Sequence, residues 1–380
     1  MTPPQDLQGR LIAFTGGGSA GHVTPNLALI EALRARGGRA LYIGRDHAPG
    51  AQSVERALVD AVPDLPFLAI PSERLRRYFD WRNFTMPLTV LRGLWRAYRH
   101  IRAARPDALF SKGGFVALPA VVGAWLNGVP VVLHESDGTL GLAHRLSLPF
   151  AHTVCAAQAR ALRGLRHPRA LHTGAPLRAE FLRARPETAR ERFGLVGARP
   201  LLVVFGGSLG SARLNAVARD ALDDLLARYE VFHVCGAGAV SGALAATRAA
   251  RGYHQAEYVR EGFANLLAAA HLVVGRAGAN TLAELLALRR PALLVPLPAA
   301  TSRGDQLLNA EEHARAGFGR CVRDEDLDAR ALLAALEALE GDYEGCVEAM
   351  RRAPQSQGAE ATLDALAGAL RPRRAPPRPA

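Results

Sequence analysis

Residues 11–30 read LIAFTGGGSAGHVTPNLALI, and residues 201–220 read LLVVFGGSLGSARLNAVARD. In each, a short apolar, β-prone run (Leu11–Thr15, Leu201–Phe205) enters a glycine-rich turn. The residues beyond it (Asn26–Ala35, Asn215–Arg228) carry apolar side chains at helical spacing. Glycine adopts backbone conformations closed to other residues and lets the main chain approach a ligand. A helix start adds unpaired N–H groups and a positive dipole end that suit an anion. One such turn is equally well explained as a corner between strand and helix. Two, half a chain apart, predict two similar phosphate-cradling modules. Neither is a strict GxGxxG with an acid about 20 residues further on, so a nicotinamide cofactor is not indicated.

A chain of 380 residues suits two domains with sizeable cores. The net charge of +12 implies attraction to phosphates, whether of nucleic acid, lipid or nucleotide, without choosing among them. Nearly all the positive charge is arginine, with Lys112 the only lysine. The four cysteines are scattered with no C-x-x-C pair, as expected of reduced thiols rather than a metal site. Met1–Gln8 lacks the marks of a leader. The longest apolar candidate, Ala117–Leu133, is interrupted by Asn127, Gly128 and Pro130, so no membrane-spanning helix is expected.

Further β-like runs fall at Ala40–Ile43, Phe67–Ile70, Ala108–Phe110, Val129–His134 and Thr153–Cys155. After a boundary in His167–Arg178 they resume at Leu201–Phe205, Val231–Cys235, Leu272–Gly275 and Ala292–Pro296. Strands alternating with helices predict α/β domains with parallel sheets. The expected division is 1–173, 174–350, and a C-terminal helix with a Pro- and Arg-rich tail over 351–380. Ligands of such sheets bind beyond the carboxyl ends of the strands. The expected architecture is therefore two Rossmann-like domains facing each other across a cleft.

Several clusters suit that place. His22, just after the first turn, could take a proton or bind a phosphate, or it could make only a local hydrogen bond at the helix start. HESDGTLG, His134–Gly141, follows an apolar run, and its Glu135 and Asp137 read as a base, as sugar ligands or as helix caps. VVGRAGANTLAEL, Val273–Leu285, repeats strand, glycine turn and helix, with Glu284 suited to vicinal hydroxyls. PLPAATSRGDQLLNAEEH, Pro296–His313, leads into a helix expected near Asp305, whose Gln306 and Asn309 could reach the same region. From Arg74 to Phe84 arginines alternate with aromatics, the mixture that lies on an anionic bilayer and also stacks on single-stranded nucleic acid. The apolar residues after it (Leu88, Leu91, Leu94, Trp95, Tyr98, Ile101) read as a core-facing stripe. Asp324–Asp326 reads as a solvated acidic loop. No D-x-D follows a β-run, so no metal site is expected.

GGGSAGHVTPNLALI, SKGGFVALPAVVGA, HESDGTLG, FGGSLGSARLN and RAGANTLAELLALRRPALLVPLP, in this order, resemble the MurG family. These are the bacterial transferases that add N-acetylglucosamine to undecaprenyl-pyrophosphoryl-N-acetylmuramoyl-pentapeptide. The resemblance, from about Leu11 to Gly319, implies a GT-B fold, a UDP-N-acetylglucosamine donor on the second lobe and lipid I on the first, with no cofactor. It implies work on the cytoplasmic face of the membrane as a peripheral protein, with no nucleic-acid partner. By similarity His22 and Glu135 are the catalytic candidates, and Ser19, Ala20 and Gly21 face the diphosphate and sugar. Asp137 stands where the family has a sugar-contacting asparagine. Arg178 and Ser208 match nucleotide contacts, Gly278, Ala279, Asn280 and Thr281 the α-phosphate site, and Glu284 the ribose ligand. Asp305 and Gln306 fall where two glutamines are usual, and Val259 and Arg276 complete the expected substrate contacts. Arg76, Arg77, Phe79, Trp81 and Phe84 are the expected membrane contacts. The runner-up activity is another lipid-directed transfer from a UDP-sugar, for instance to diacylglycerol.

Overall fold

The structure, a computed structural model, describes residues 7–17, 20–46, 53–72, 82–207, 210–298, 304–353 and 358–371. It divides into two compact units, residues 1–178 with 357–380, and residues 179–356. The first holds seven strands: β1 (Leu11–Thr15), β2 (Arg39–Arg45), β3 (Phe67–Ile70), β4 (Ala108–Ser111), β5 (Val131–Glu135), β6 (Thr153–Ala156) and β7 (Ala170–His172). The second holds six: β8 (Leu201–Phe205), β9 (Glu230–Val234), β10 (Tyr253–Ala256), β11 (Leu272–Gly275), β12 (Ala292–Leu294) and β13 (Gly319–Cys321).

All pairings are parallel. The orders are β3-β2-β1-β4-β5-β6-β7 and β10-β9-β8-β11-β12-β13. Each sheet thus reverses direction between its first and fourth strands, and there the loops on either side part to leave a ligand crevice. Helices cover both faces, which is why β4, β5, β8 and β9 are buried along their whole length and why β8 reads as an unbroken apolar run.

Three strands were not legible in the sequence: β7, β10 and β13. Each lies at a sheet edge, pairs on one side only and lacks the continuous apolar run of a central strand. The first helix runs Ala20–Ala35, six residues earlier than expected, with Pro25 inside it. The expected helix after Ser211 is two, Ala212–Asp220 and Leu222–Arg228.

The stripe expected to face the core is the main correction. On the helix Arg82–Ala104, Leu88, Leu91 and Trp95 are 52, 61 and 60 % exposed, while Gly93, Ala97 and Ile101 face inward. A Cβ at Gly93 would meet the Pro71 carbonyl, and one at Gly123 would meet Ala97, so the small residues make this packing face. The acidic loop also differs, because Asp324 is a largely buried ion-pair partner. At the chain's end, the helix Gly358–Ala369 packs against Ala20–Ala35, adding Leu363, Leu366 and Ala367 to the first unit's core. Among the described residues no helix is long and apolar enough to cross a membrane. All four cysteines are free thiols.

Candidate active site

In the first unit the chemistry gathers at the carboxyl ends of β1, β4 and β5. His22 lies in the first turn of its helix, half-buried, with Nδ1 3.1 Å from the Lys112 carbonyl. Because a carbonyl only accepts, the proton sits on Nδ1 and the lone pair on Nε2. Burial, then the charge of Lys112, pushes the imidazole pKa down to about 4, so His22 is neutral at pH 7.

Lys112 is 1 % exposed. Its Nζ donates to His134 Nδ1 at 2.8 Å and to Ser136 Oγ at 2.6 Å. His134 Nε2 in turn donates to the Gly174 carbonyl at 3.0 Å, so His134 is the neutral tautomer. Burial lowers the Lys112 pKa to about 8 against the opposing pull of Glu135 and Asp137. Burial and Lys112 together hold His134 well below the usual histidine range.

Glu135, expected as a second catalytic group, is committed elsewhere. Oε1 accepts from the Ser136 and Asp137 amides at 2.9 and 3.1 Å; Oε2 accepts from the Gly141 amide at 2.9 Å and from His144 Nδ1 at 2.8 Å. Burial alone would raise its pKa, but His144, the Gly141 amide and Lys112 outweigh it and keep the carboxylate far below its ordinary range. The carboxylate therefore organises the loop after β5 and is a poor proton acceptor.

The first glycine turn rests on buried polar groups. Tyr42 donates its hydroxyl proton to the Gly16 carbonyl, and Asn26 Nδ2 donates to the Thr15 carbonyl at 3.2 Å. Glu55 lies directly under Gly17, where an added Cβ would be 2.6 Å from both carboxylate oxygens. Burial pushes Glu55 up to about 7, partly offset by Arg45.

In the second unit Gly278, extended at φ −68° and ψ 138°, precedes the helix Ala279–Leu288 and brings no capping side chain to its opening N–H groups. A Cβ there would meet only Thr281 Oγ1, at 3.8 Å, so the main chain is open to an approaching anion. Asn280, Thr281 and Glu284 are half-buried on this helix. Asp305 is buried at the start of the helix Asp305–Arg315, and Gln306 Oε1 accepts from the Leu297 amide at 3.1 Å. Arg276, expected to touch substrate, is instead a buried strut. Nη1 donates to Asp324 Oδ1 at 2.6 Å and to the Val295 and Pro296 carbonyls at 3.1 and 3.3 Å; Nη2 donates to Ser211 Oγ at 2.6 Å.

Of the remaining expected residues, Gly21 is exposed in its helix turn, Asp137, Arg178 and Val259 are half-buried, and Ala279 opens its helix. Ser19, Ser208, Arg76, Arg77, Phe79 and Trp81 lie outside the described residues, as do the side chains of Ala20 and Phe84. His22, Glu135 and Asp137 belong to one unit, and Gly278–Thr281, Glu284, Asp305 and Gln306 to the other. Sequence reasoning missed His144, Glu55 and the strut role of Asp324, which follow from contacts distant in sequence. Lys112 had a signal, the lone lysine of an arginine-rich chain. A cavity of about 310 Å3 in the second unit lies at the opposite, amino-terminal edge of its sheet. There Arg190 and Arg290 sit beside helix carboxyl ends, where a cation complements the dipole.

Two parallel sheets of Rossmann order, each with a glycine turn after its first strand, and in the second unit a helix start behind Gly278 without a capping side chain, are the arrangement of a nucleotide-sugar glycosyltransferase of GT-B class. The chain matches the glycosyltransferase family 28 N-terminal domain over residues 12–156 and the family 28 C-terminal domain over 201–364. A protein of Geobacillus kaustophilus (strain HTA426) named UDP-N-acetylglucosamine–N-acetylmuramyl-(pentapeptide) pyrophosphoryl-undecaprenol N-acetylglucosamine transferase is 44 % identical over 328 residues, 86 % of this chain and 90 % of its own. A protein of the same name from Clostridium perfringens (strain SM101 / Type A) is 39 % identical over 355 residues, covering 93 and 97 %. The crystal structure of Acinetobacter baumannii MurG superimposes with a TM-score of 0.70 at 23 % identity, over 94 % of this chain and 99 % of that one. The chain belongs to the MurG family of N-acetylglucosaminyltransferases.

Proposed function

We propose that this enzyme transfers N-acetylglucosamine from UDP-N-acetylglucosamine to the muramoyl 4-hydroxyl of lipid I, with inversion at the anomeric carbon. The observation that carries the mechanism is His22, a neutral imidazole whose Nε2 lone pair sits at the switch point of the first sheet. The acceptor oxygen forms the new bond to the anomeric carbon as its proton passes to His22 Nε2. The bond from that carbon to the diphosphate oxygen breaks, and UDP leaves with the electron pair. A base with a pKa near 4 is weak, so transfer accompanies bond formation, when the hydroxyl is most acidic. Charge growing on the diphosphate is met by the N–H groups behind Gly278. Glu284 suits the ribose hydroxyls.

The acceptor's lipid tail requires the first unit to reach a bilayer. Exposed Leu88, Leu91 and Trp95 on one helix, Trp125 and Leu126 at the end of Ala117–Leu126, and Leu142 and Leu146 on Leu142–Ser147 lie on three helices packed in a row. Arg92, Arg96 and Arg99 are exposed beside them, with the Arg99 guanidinium 4.8 Å over the Trp95 ring. Aromatics and arginines of this kind suit the headgroup level of an anionic, cytoplasm-facing leaflet.

A transfer assay with labelled UDP-N-acetylglucosamine tests the reading. Incorporation into lipid I supports it. Incorporation into diacylglycerol instead, or no incorporation at all, refutes it.

A further inference from the structure

The acidic turn Asp324–Asp326 follows β13, far in sequence from either glycine-rich turn. Yet Asp324 Oδ1 lies 2.6 Å from Arg276 Nη1, with the two side chains only 13 and 9 % exposed. Arg276 follows β11 and donates through Nη2 to Ser211 Oγ, which itself accepts from the Leu214 amide at 3.3 Å and so caps the helix Ala212–Asp220. The same guanidinium donates to the Val295 and Pro296 carbonyls beyond β12. Arg213, on the capped helix, adds a second cation 3.8 Å from Asp324 Oδ2, and its Nη2 donates to the Glu325 and Leu327 carbonyls. One carboxylate therefore ties together the carboxyl ends of β8, β11, β12 and β13. Two residues beyond Arg276 stands Gly278, the opening of the helix Ala279–Leu288.

We propose that Asp324 is a positioning residue for the sugar-nucleotide donor: through Arg276 and Ser211 it holds the helix starts after β8 and β11 in the register that receives the diphosphate. This rests on the donor reading given above. Asp324 does not touch the donor itself. A buried guanidinium deprived of its carboxylate must find water or another acceptor, and the carbonyls and hydroxyl it now gathers would be released with it. Because the strut makes no contact with the reacting atoms, its loss should weaken donor binding in the ground and transition states alike.

The test is steady-state kinetics of Asp324→Asn, Asp324→Glu and Ser211→Ala with both substrates varied. For Asp324→Asn the donor KM should rise about tenfold, with kcat changed by less than about twofold. The acceptor KM should stay at the wild-type value, and Asp324→Glu should recover most of the donor affinity. Adding Asp324→Asn to Ser211→Ala should cost less than the two single effects combined, because both cut one chain of contacts. A folded Asp324→Asn enzyme with an unchanged donor KM, or with donor and acceptor KM rising together, overturns the proposal. Should Asp324→Asn fail to fold, Ser211→Ala alone decides it by the same donor-only rise. If the wild-type protein transfers no N-acetylglucosamine, the functional reading fails. Calorimetric binding of UDP then still decides the strut, which is refuted if the Asp324→Asn and wild-type proteins bind UDP equally.

Discussion

The two glycine-rich turns follow the same local script and stand on different foundations. Each is followed by a helix whose asparagine, Asn26 or Asn215, donates to a main-chain carbonyl, of Thr15 at the end of β1 and of Cys235 just past β9. Each asparagine also meets a polar ring on the second strand of its sheet, Asn26 the Tyr42 hydroxyl and Asn215 the imidazole of His233. Beneath the first turn, however, lie groups that burial has moved toward neutrality: Glu55 at about 7 and Lys112 at about 8. Beneath the second, an arginine bridges a carboxylate and a serine. A glycine turn specifies only how closely a ligand can approach. How firmly and at what pH the turn is held is decided by what lies under it.

The contrast can be broken first at the acid–base end. Replacing His22 with alanine should lower kcat by about 10²–10⁴-fold. A variant within threefold of wild type would remove the base assignment, and unchanged circular dichroism would show the loss to be chemical. In the wild type, kcat/KM should be level from neutral pH down to about 5 and fall as His22 protonates around 4.

Lys112→Met probes the support itself. It leaves His134 and Ser136 without a buried donor, so unfolding free energy should fall by about 1–3 kcal/mol. Removing the neighbouring charge should also move the acid limb of the pH–rate profile upward, since Lys112 helps depress His22. An unmoved limb would show the two groups to be uncoupled.

Glu55 gives a subtler separation of the two turns. Its folded pKa is raised, so its contribution to stability is full below about 4.5 and is lost as pH rises through 7. Glu55→Gln should therefore be more stable than wild type at pH 8 by about 3 kcal/mol and show a flatter stability curve between pH 5 and 7. Parallel denaturation curves for the two proteins across that range would exclude a buried, titrating carboxyl under Gly17.

The smallest effect on folding belongs to the outer rim of the first unit. Leu91→Ser with Trp95→Ser should change stability by no more than about 0.5 kcal/mol per site, because both side chains are exposed. The pair should nevertheless weaken co-sedimentation with anionic vesicles several-fold. Retained binding would place the membrane contact elsewhere.

The central strands were legible because burial on both faces writes an unbroken apolar run, as in Leu201–Phe205 and Leu272–Gly275, which match their observed bounds. Of the edge strands β3 kept an apolar run and was legible, whereas β7, β10 and β13 were not, since a strand paired on one side has no such constraint. The helix Arg82–Ala104 misled for a related reason. Sequence periodicity weighs large apolar residues, whereas Gly93 and Ala97 make the contact because a close helix approach leaves room for nothing larger.

By itself the sequence determined the pair of parallel sheets, the positions of the glycine turns after their first strands, and the family, because glycine spacing, apolar runs and ordered motifs are local along the chain. Tertiary structure alone decided that Glu135 is spent on its own loop, that Lys112 bridges His134 and Ser136, and that Asp324 reaches back to Arg276 and Ser211. Those roles depend on distance and burial between residues as much as 113 positions apart, and a pKa or a strut exists only once folding has brought its partners together and removed the water between them.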